Sequence, residues 1–185
     1  EKPFEGEIRE LVKSPMVSTY DESPEMSANQ VTNKACLEVE KCIYSLIVIN
    51  YANPDMVGHT GNMEATIQAI ETVDKCLGRL LSSISKVGGT TLITADHGNA
   101  ETMKDNNNIL TSHTLNPVPL IFIEGEKRKI TGYGGNVILR DNSKLSDIAP
   151  TILQILGIQQ PEEMTGKSCF VNTIDTKINR KNNPS

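Results

Sequence analysis

The chain has 185 residues, a formal net charge of -5 and 37% apolar residues. This composition is typical of a globular domain with its own hydrophobic core, and it excludes a collagen-like chain and a wholly disordered one. Because the net charge is acidic and the one basic cluster lies in the last residues, 177–181, we expect neither a nucleic acid nor an anionic lipid surface as a partner.

The first 44 residues predict a connecting segment followed by a helix. Residues 1–25 hold three prolines and little periodicity, which indicates a connection with at most one short strand. Ser27 and Gln30 have the spacing of a capping box, in which each side chain accepts a backbone N–H of the first helical turn. Apolar residues at helical spacing follow, so a helix is expected to begin at this point.

Three short apolar runs predict strands. Residues 45–50, 90–95 and 118–123 are rich in β-branched side chains, as in strands that are buried on both faces. A polar loop at 51–61 follows the first run. We expect the three strands to lie parallel in one sheet.

Two helices are predicted downstream of this loop. Asn62 is a suitable N-cap for the longest helix in the chain, and Gly88 would end it. Apolar residues recur along this helix at helical spacing, so we expect that face to pack on the sheet. The recurring residues are Met63, Ile67, Ile70, Val73, Leu77, Leu80 and Ile84. A shorter helix is predicted over residues 145–156, with Pro150 tolerated in its first turn.

The alternation of strands and helices predicts an α/β domain over residues 26–175, with a largely parallel sheet flanked by helices. Residues 176–185 are polar and rich in Asn and Lys, which indicates a loose tail. Ligands of such sheets bind beyond the carboxyl ends of the strands. The loops that follow residues 50 and 95 are therefore expected at one edge.

All three histidines of the chain fall in polar loops. His59 follows Asp55 by four residues, His97 follows Asp96 directly, and His113 lies between Ser112 and Thr114. Neutral imidazole and carboxylate bind divalent ions such as Mn²⁺, Zn²⁺ and Co²⁺. The pattern therefore predicts a metal site, although each residue alone could serve to cap a helix or bind the backbone.

Other residues leave more than one interpretation open. Glu101 could orient a metal ligand or begin a helix, while Ser112 is a better candidate for a turn than for a nucleophile. The four cysteines form no CxxC pair, and they predict reduced thiols in a reducing compartment. We expect the protein to be located in the cytoplasm, with a plastid as the alternative.

Longer runs around these residues identify a family. NYANPDMVGHTGNMEAT, ITADHGNAE, TSHTLNPVPLI and LSDIAPTILQILGI resemble motifs of the cofactor-independent phosphoglycerate mutases, which belong to the alkaline-phosphatase superfamily. The stretches PFEGE and SPMVSTYDESPEMSA resemble the segment where that family's chain returns from its second domain. The resemblance covers roughly residues 3–170 in unbroken order.

The resemblance implies an alkaline-phosphatase-like fold, with residues 26–175 as the C-terminal half of its metal-binding domain. Residues 1–25 would connect it to a transferase-like domain. By motif position, Asp55, His59 and His113 match the ligands of one manganese ion. Asp96 and His97 match two ligands of a second.

The family interconverts 2- and 3-phosphoglycerate through a phosphoserine, with two Mn²⁺ per full-length subunit and no 2,3-bisphosphoglycerate. The nucleophilic serine and the substrate clamp match nothing in this chain, so the resemblance implies that this chain alone is inactive. It also implies a small-molecule substrate and a monomer.

Two alternatives remain at this point. One is a metal-dependent phosphatase or sulfatase-like hydrolase of the same superfamily, although the HTGN and ADHGNAE contexts favour the mutase. The other is a metal-binding remnant without catalysis. The presence of all five ligand positions argues against decay.

Overall fold

A computed structural model describes residues 2–106, 108–126 and 137–171. The chain divides into two compact units, Glu1–Ile123 and Glu124–Ser185. The predicted tail at 176–185 lies outside the described residues. The predicted extent of the domain, residues 26–175, stays a prediction.

The secondary structure mixes helices with short strands. The helices are α1 (Ala28–Lys41), α2 (Asn53–Gly58), α3 (Met63–Val87) and α4 (Ile148–Leu156), with 3-10 helices at Tyr20–Glu22 and Leu145–Asp147. The strands are β1 (Thr91–Thr94), β2 (Lys104–Asp105), β3 (Asn108–Ile109) and β4 (Leu120–Ile123). Helix α2 lies within the stretch predicted as a polar loop.

Helix α1 begins where the sequence predicts, but for a different reason. The Ser27 side chain caps no N–H of the helix, so the predicted capping box is wrong. Its hydroxyl instead donates to the backbone oxygen of Lys13 at 2.6 Å, and this bond ties the preceding segment to the start of the helix. The helix buries Thr32, Ala35 and Val39, and the last two pack against Leu80 of α3.

Helix α3 has the predicted ends. The Asn62 side chain accepts the backbone N–H of Ala65 at 3.2 Å, and Gly88 ends the helix in the left-handed conformation with a φ of 68°. The main packing partners of α3 are α1 and α2 rather than the strands. The predicted packing stripe is therefore wrong in part: Met63, Ile67 and Ile70 are exposed.

Two of the predicted strands pair, but with the opposite polarity. Strand β1 runs antiparallel to β4, with Thr91 opposite Ile123 and Thr94 opposite Leu120. A parallel pair needs a crossover, usually a helix, that carries the chain back to the starting end of the sheet. The described residues between β1 and β4 contain only the β2–β3 hairpin and loops, so the chain returns antiparallel.

The first predicted strand, residues 45–50, is not a strand in the described part of the chain. No described residue forms a β-bridge with it. Leu46 and Val48 are 51% and 81% exposed, whereas the sequence predicts burial on both faces. A segment becomes a strand only when its backbone forms hydrogen bonds with a neighbouring strand. Local composition alone does not provide that neighbour.

The second unit is organised around α4. The helix follows the 3-10 turn at Leu145–Asp147 and ends at Gly157, as the sequence predicts. Asp147, Thr151 and Cys169 are buried at its start. None of the helices in the described ranges is long and apolar enough to cross a membrane.

Candidate metal centre

Helix α2 is held firmly against the longest helix. Val57 is fully buried and packs against Ala65 and Ala69 of α3, whose small side chains allow close approach. The buried Asn53 amide donates to the backbone oxygens of Pro24 and Glu25 at 3.0 and 2.8 Å. These contacts fix the orientation of the short helix.

The opposite face of α2 presents Asp55 and, just past its end, His59. Residues four apart lie on one face of a helix, and the His59 N–H donates to the Asp55 backbone oxygen at 3.0 Å. The Asp55 side chain is 32% exposed and that of His59 38%. Both are therefore accessible while their backbone is anchored.

Three ligand atoms from two segments form a nearly equilateral triangle. The Nε2 atoms of His59 and His113 are 3.1 Å apart, and each lies 3.2 Å from the Asp55 Oδ1. The three residues form the one group in the described part of the chain whose geometry would suit a metal ion. The structure thus brings together the first predicted ligand set.

The His59 ring is oriented by a backbone carbonyl. Its Nδ1 lies 2.5 Å from the Thr111 oxygen, which can only accept a hydrogen bond. The Nδ1 therefore carries the proton, and in the neutral ring the Nε2 lone pair is directed at the triangle. Such an arrangement is characteristic of metal-binding histidines.

His97 lies beside the triangle. Its ring stacks on that of His113, with centroids 3.6 Å apart and an angle of 17° between the planes. Its buried Nδ1 makes no hydrogen bond and lies 3.9 Å from the Asp55 Oδ1. The Asp96 side chain is 87% exposed, and its Oδ2 lies 3.6 Å from the His97 Nε2. The structure therefore places these two residues next to the triangle but not within it.

The donor atoms fit a divalent cation. A cation about 2.0–2.2 Å from three ligand atoms, at octahedral to tetrahedral angles, holds those atoms about 2.8–3.6 Å apart. The observed edges of 3.1 and 3.2 Å fall within this range. Carboxylate and imidazole ligands without thiolate suit Mn²⁺, Co²⁺ or Zn²⁺.

Two glycines make room for the residues that surround the triangle. A Cβ on Gly58 would lie 2.9 Å from the Asn99 side-chain oxygen, and one on Gly98 would collide with Glu101 and Thr114. Neither glycine has a positive φ. Close approach, rather than an unusual backbone conformation, therefore accounts for both glycines.

Glu101 does not begin a helix, which resolves one open interpretation. Its Oε2 accepts the backbone N–H of Asn99 at 2.7 Å, and its Oε1 accepts the Thr114 hydroxyl and, at 2.9 Å, the Asn116 amide. The hydrogen bond from the Thr114 hydroxyl is the main cause that lowers the pKa of Glu101. Glu101 thus links the loop of His97 to that of His113.

Sequence reasoning missed Asn99. Its side-chain amide donates to the Asp55 Oδ1 at 2.7 Å, and the residue is buried. The available signal was its position within the ADHGNAE run, two residues after a predicted ligand. Nothing in that spacing indicates that the amide reaches back to α2.

Known proteins place the chain among metal-dependent enzymes. The Metalloenzyme superfamily matches residues 1–160. A 2,3-bisphosphoglycerate-independent phosphoglycerate mutase from Rippkaea orientalis is 66% identical over the whole chain, which corresponds to 35% of that protein. The enzyme of the same name from Trichormus variabilis is 69% identical over 91% of the chain and 32% of its own length.

A solved structure agrees with these relatives. The structure of Leishmania mexicana phosphoglycerate mutase at low cobalt concentration matches 87% of the chain and 31% of its own, with 32% identity and a TM-score of 0.75. The chain thus spans about a third of the length of the proteins that it resembles. The resemblance drawn from the motifs is confirmed, and the chain belongs to the Metalloenzyme superfamily.

Proposed function

We propose that this chain supplies the metal-binding part of a 2,3-bisphosphoglycerate-independent phosphoglycerate mutase, which interconverts 2-phosphoglycerate and 3-phosphoglycerate. The observation that carries the proposal is the triangle of Asp55, His59 and His113. Its support is the similarity to relatives of that name over the whole chain. The substrate is a small molecule, and the active protein is a monomer.

Each of the five residues has a role in this proposal. Asp55, His59 and His113 would hold one Mn²⁺, while Asp96 and His97 would contribute two ligands to a second. When bound, the two cations supply positive charge that stabilises phosphoryl oxygens and lowers the pKa of an attacking hydroxyl. A serine outside the motifs of this chain would carry the phosphoryl group between the two hydroxyls of the substrate.

The residues of this chain contribute by orientation. The Thr111 carbonyl keeps the His59 proton on Nδ1, so Nε2 stays available to a cation. The Asn99 amide holds the Asp55 Oδ1 in place. His97 stacked on His113 limits the rotation of both rings. A site with fixed ligands reorganises little when charge develops on the substrate.

Manganese is proposed over a structural zinc because the five donors include oxygen and imidazole but no thiolate. Zinc and cobalt share part of this preference and generally bind such donors more tightly than manganese, so affinity has to be compared with turnover. We therefore propose equilibrium titration of the chain with Mn²⁺, Co²⁺ and Zn²⁺ at equal concentrations. Preferential retention of Zn²⁺ together with lower turnover in Mn²⁺ would contradict the manganese assignment.

The function is tested with a matched pair of aspartates. In the longer protein, Asp55→Asn removes one ligand charge, while Asp74→Asn makes the same change on the exposed surface of α3. We expect Asp55→Asn to abolish measurable conversion of 3- to 2-phosphoglycerate and Asp74→Asn to leave it unchanged. Equal activity of the two variants would contradict the proposal.

The same assay separates the mutase from the hydrolase alternative. A mutase returns the phosphoryl group to the sugar acid, so little inorganic phosphate accompanies the 2-phosphoglycerate. A hydrolase transfers the group to water and releases phosphate. Phosphate release as the main product would replace the mutase with a metal-dependent phosphatase.

A reducing compartment is also proposed. All four cysteines are free thiols, and the exposed Cys42 would be open to oxidation in a secreted protein. The cytoplasm fits this chemistry, and a plastid is the alternative. Localisation of the tagged longer protein in cell fractions tests the choice.

A further inference from the structure

A chain of hydrogen bonds connects all three segments that carry the candidate ligands. It starts at the Asp55 carboxylate, which accepts the Asn99 side-chain amide at 2.7 Å. It continues from the Asn99 backbone N–H to Glu101 at 2.7 Å. It ends where Glu101 accepts the Thr114 hydroxyl, one residue after His113.

We infer that Asn99, Glu101 and Thr114 form a brace that sets the relative positions of the metal-binding segments, with Glu101 as its central positioning residue. The inference rests on the proposed metal site, and it concerns residues that no motif assigns as ligands. None of the three would touch the metal or the substrate. They act through Asp55 and His113.

The brace matters because local structure fixes only part of the site. Asp55 and His59 share one helix, so their spacing is set by α2. His113 lies 54 residues further along the chain than His59 and comes from a loop without helix or strand. This loop is held to the rest of the site by the backbone bridge between Gly98 and Thr114, the bonds to Glu101, and the Thr111 carbonyl that accepts from the His59 Nδ1.

The chemistry of Glu101 is specific to a carboxylate. All three of its partners, the Asn99 N–H, the Thr114 hydroxyl and the Asn116 amide, are donors. A carboxylate accepts through both oxygens, whereas a glutamine would present an NH₂ group to one of these donors. Hydrogen bonds to a charged acceptor are also about twice as strong as neutral ones.

Two glycines next to the brace also support this inference. Gly98 lets the Glu101 carboxylate and the Thr114 hydroxyl lie directly over the backbone, and Gly58 lets Asn99 lie against α2. A side chain at either position would displace a member of the brace. The space left by these glycines is therefore occupied by the brace itself.

The test measures metal binding by the 185-residue chain, with Mn²⁺ alone in calorimetry and Co²⁺ alone in visible absorption. We expect Glu101→Gln to weaken binding by about 10- to 100-fold, the usual effect of losing a residue that orients a ligand. Glu38→Gln is the matched control, because Glu38 is also bonded to its neighbours but lies on α1. It should bind within twofold of the original chain.

A second pair of variants tests the same hydrogen bond without changing the net charge. Thr114→Val deletes the hydroxyl at constant shape and charge, and we expect it to weaken binding in the same direction. Thr114→Ser keeps the hydroxyl and should restore binding to within about threefold. Because both partners share one hydrogen bond, Glu101→Gln combined with Thr114→Val should cost less than the product of the single effects.

The absorption of bound Co²⁺ adds a readout of geometry, since its intensity depends on ligand angles. We expect the saturated spectrum to change in Glu101→Gln and not in Glu38→Gln. Binding within twofold of the original in both Glu101→Gln and Thr114→Val would overturn the brace while leaving the metal site intact. No saturable binding by the original chain would overturn the brace and the proposed metal site together. If circular dichroism shows that Glu101→Gln is unfolded, the Thr114→Val and Thr114→Ser variants decide the test.

Discussion

Two aspartates at helix starts, Asp55 and Asp147, differ in how fully their carboxylates are bonded. Asp147 accepts the Lys167 N–H at 2.8 Å on one oxygen, and the Lys144 N–H and the Arg140 guanidinium at 2.9 and 2.8 Å on the other. Asp55 accepts one amide, from Asn99, and otherwise faces the rings of His59 and His113. The Asp147 side chain is 8% exposed and that of Asp55 32%.

The difference separates a structural carboxylate from one that is available for binding. Both carboxylate oxygens of Asp147 accept hydrogen bonds, so removing its charge should cost stability. Asp55 keeps acceptor capacity directed at imidazole nitrogens, an arrangement that a bound cation would stabilise. Residues placed for function commonly contribute little to the stability of the fold, or lower it.

The largest expected effect is on turnover, and it involves Asp96, another aspartate with free acceptor capacity. In the longer protein, Asp96→Ala should lower kcat by about three orders of magnitude or more, because residues that act as one unit lose function together. Asp105→Ala changes another exposed aspartate, on β2, and should leave kcat within threefold. The assay is conversion of 3- to 2-phosphoglycerate.

Equal kcat values for the Asp96→Ala and Asp105→Ala variants would contradict this prediction. His59→Ala offers a second check, since it removes a member of the triangle and should reduce kcat to a similar extent.

The 185-residue chain alone should show no conversion, because no nucleophile or substrate clamp is assigned within it. Turnover by this chain alone would overturn the division of labour proposed here.

The next effect is on stability and involves Asp147. Asp147→Asn places an NH₂ group among N–H donors, which leaves buried groups unsatisfied at a cost of about 1–3 kcal/mol. Asp141→Asn makes the same change at an exposed position of the same unit and should be neutral. Urea unfolding measures both. Equal midpoints would show that the Asp147 bonds contribute nothing.

Sequence patterns singled out residues that the structure brings together, but they did not predict the sheet. The candidate ligand residues could be singled out because each falls in a predicted polar loop. The antiparallel β1–β4 pair brings the start of the loop after β1 and the end of the loop before β4 to one edge. Thr94 ends β1 opposite Leu120, the first residue of β4, so Asp96 and His113 approach from the same side. This edge lies between the Asp96 and His113 loops, whereas the predicted edge after residues 50 and 95 has no first strand in the described residues.

The sheet could not be predicted because pairing is not local. Residues 45–50 have the composition of a buried strand, yet their neighbours in the described residues do not pair with them. The brace was missed for a similar reason. Asn99 and Asp55 are 44 residues apart, and only the folded chain shows that one donates to the other.

Acid should reveal the bonding of Asp147. The backbone N–H of Lys167, followed by that of Lys144, lowers the pKa of Asp147 below its ordinary value of 3.8. The unfolded chain therefore binds this proton at a higher pH than the folded one. The stabilisation is fully present above the ordinary pKa and is lost as the pH falls through the folded one.

The stability difference between the original chain and Asp147→Asn should consequently shrink as the pH falls below about 4. The difference between the original chain and Asp141→Asn should stay near zero throughout. Urea unfolding at several pH values between neutral and acid measures both. A gap that stays constant into strong acid would mean that the ionised carboxylate makes no special contribution.

The smallest expected effect is the most informative about Asp55. Without metal, Asp55→Asn should change the free energy of unfolding by no more than about 0.5 kcal/mol, because the new side chain can still accept the Asn99 amide. With Mn²⁺ at about 100 times its dissociation constant, the original chain should gain about 2.7 kcal/mol, and the variant should gain far less. Thermal unfolding with and without Mn²⁺ measures both values. A large loss of stability in the metal-free variant would show that Asp55 is as structural as Asp147, and the contrast between the two carboxylates would then disappear.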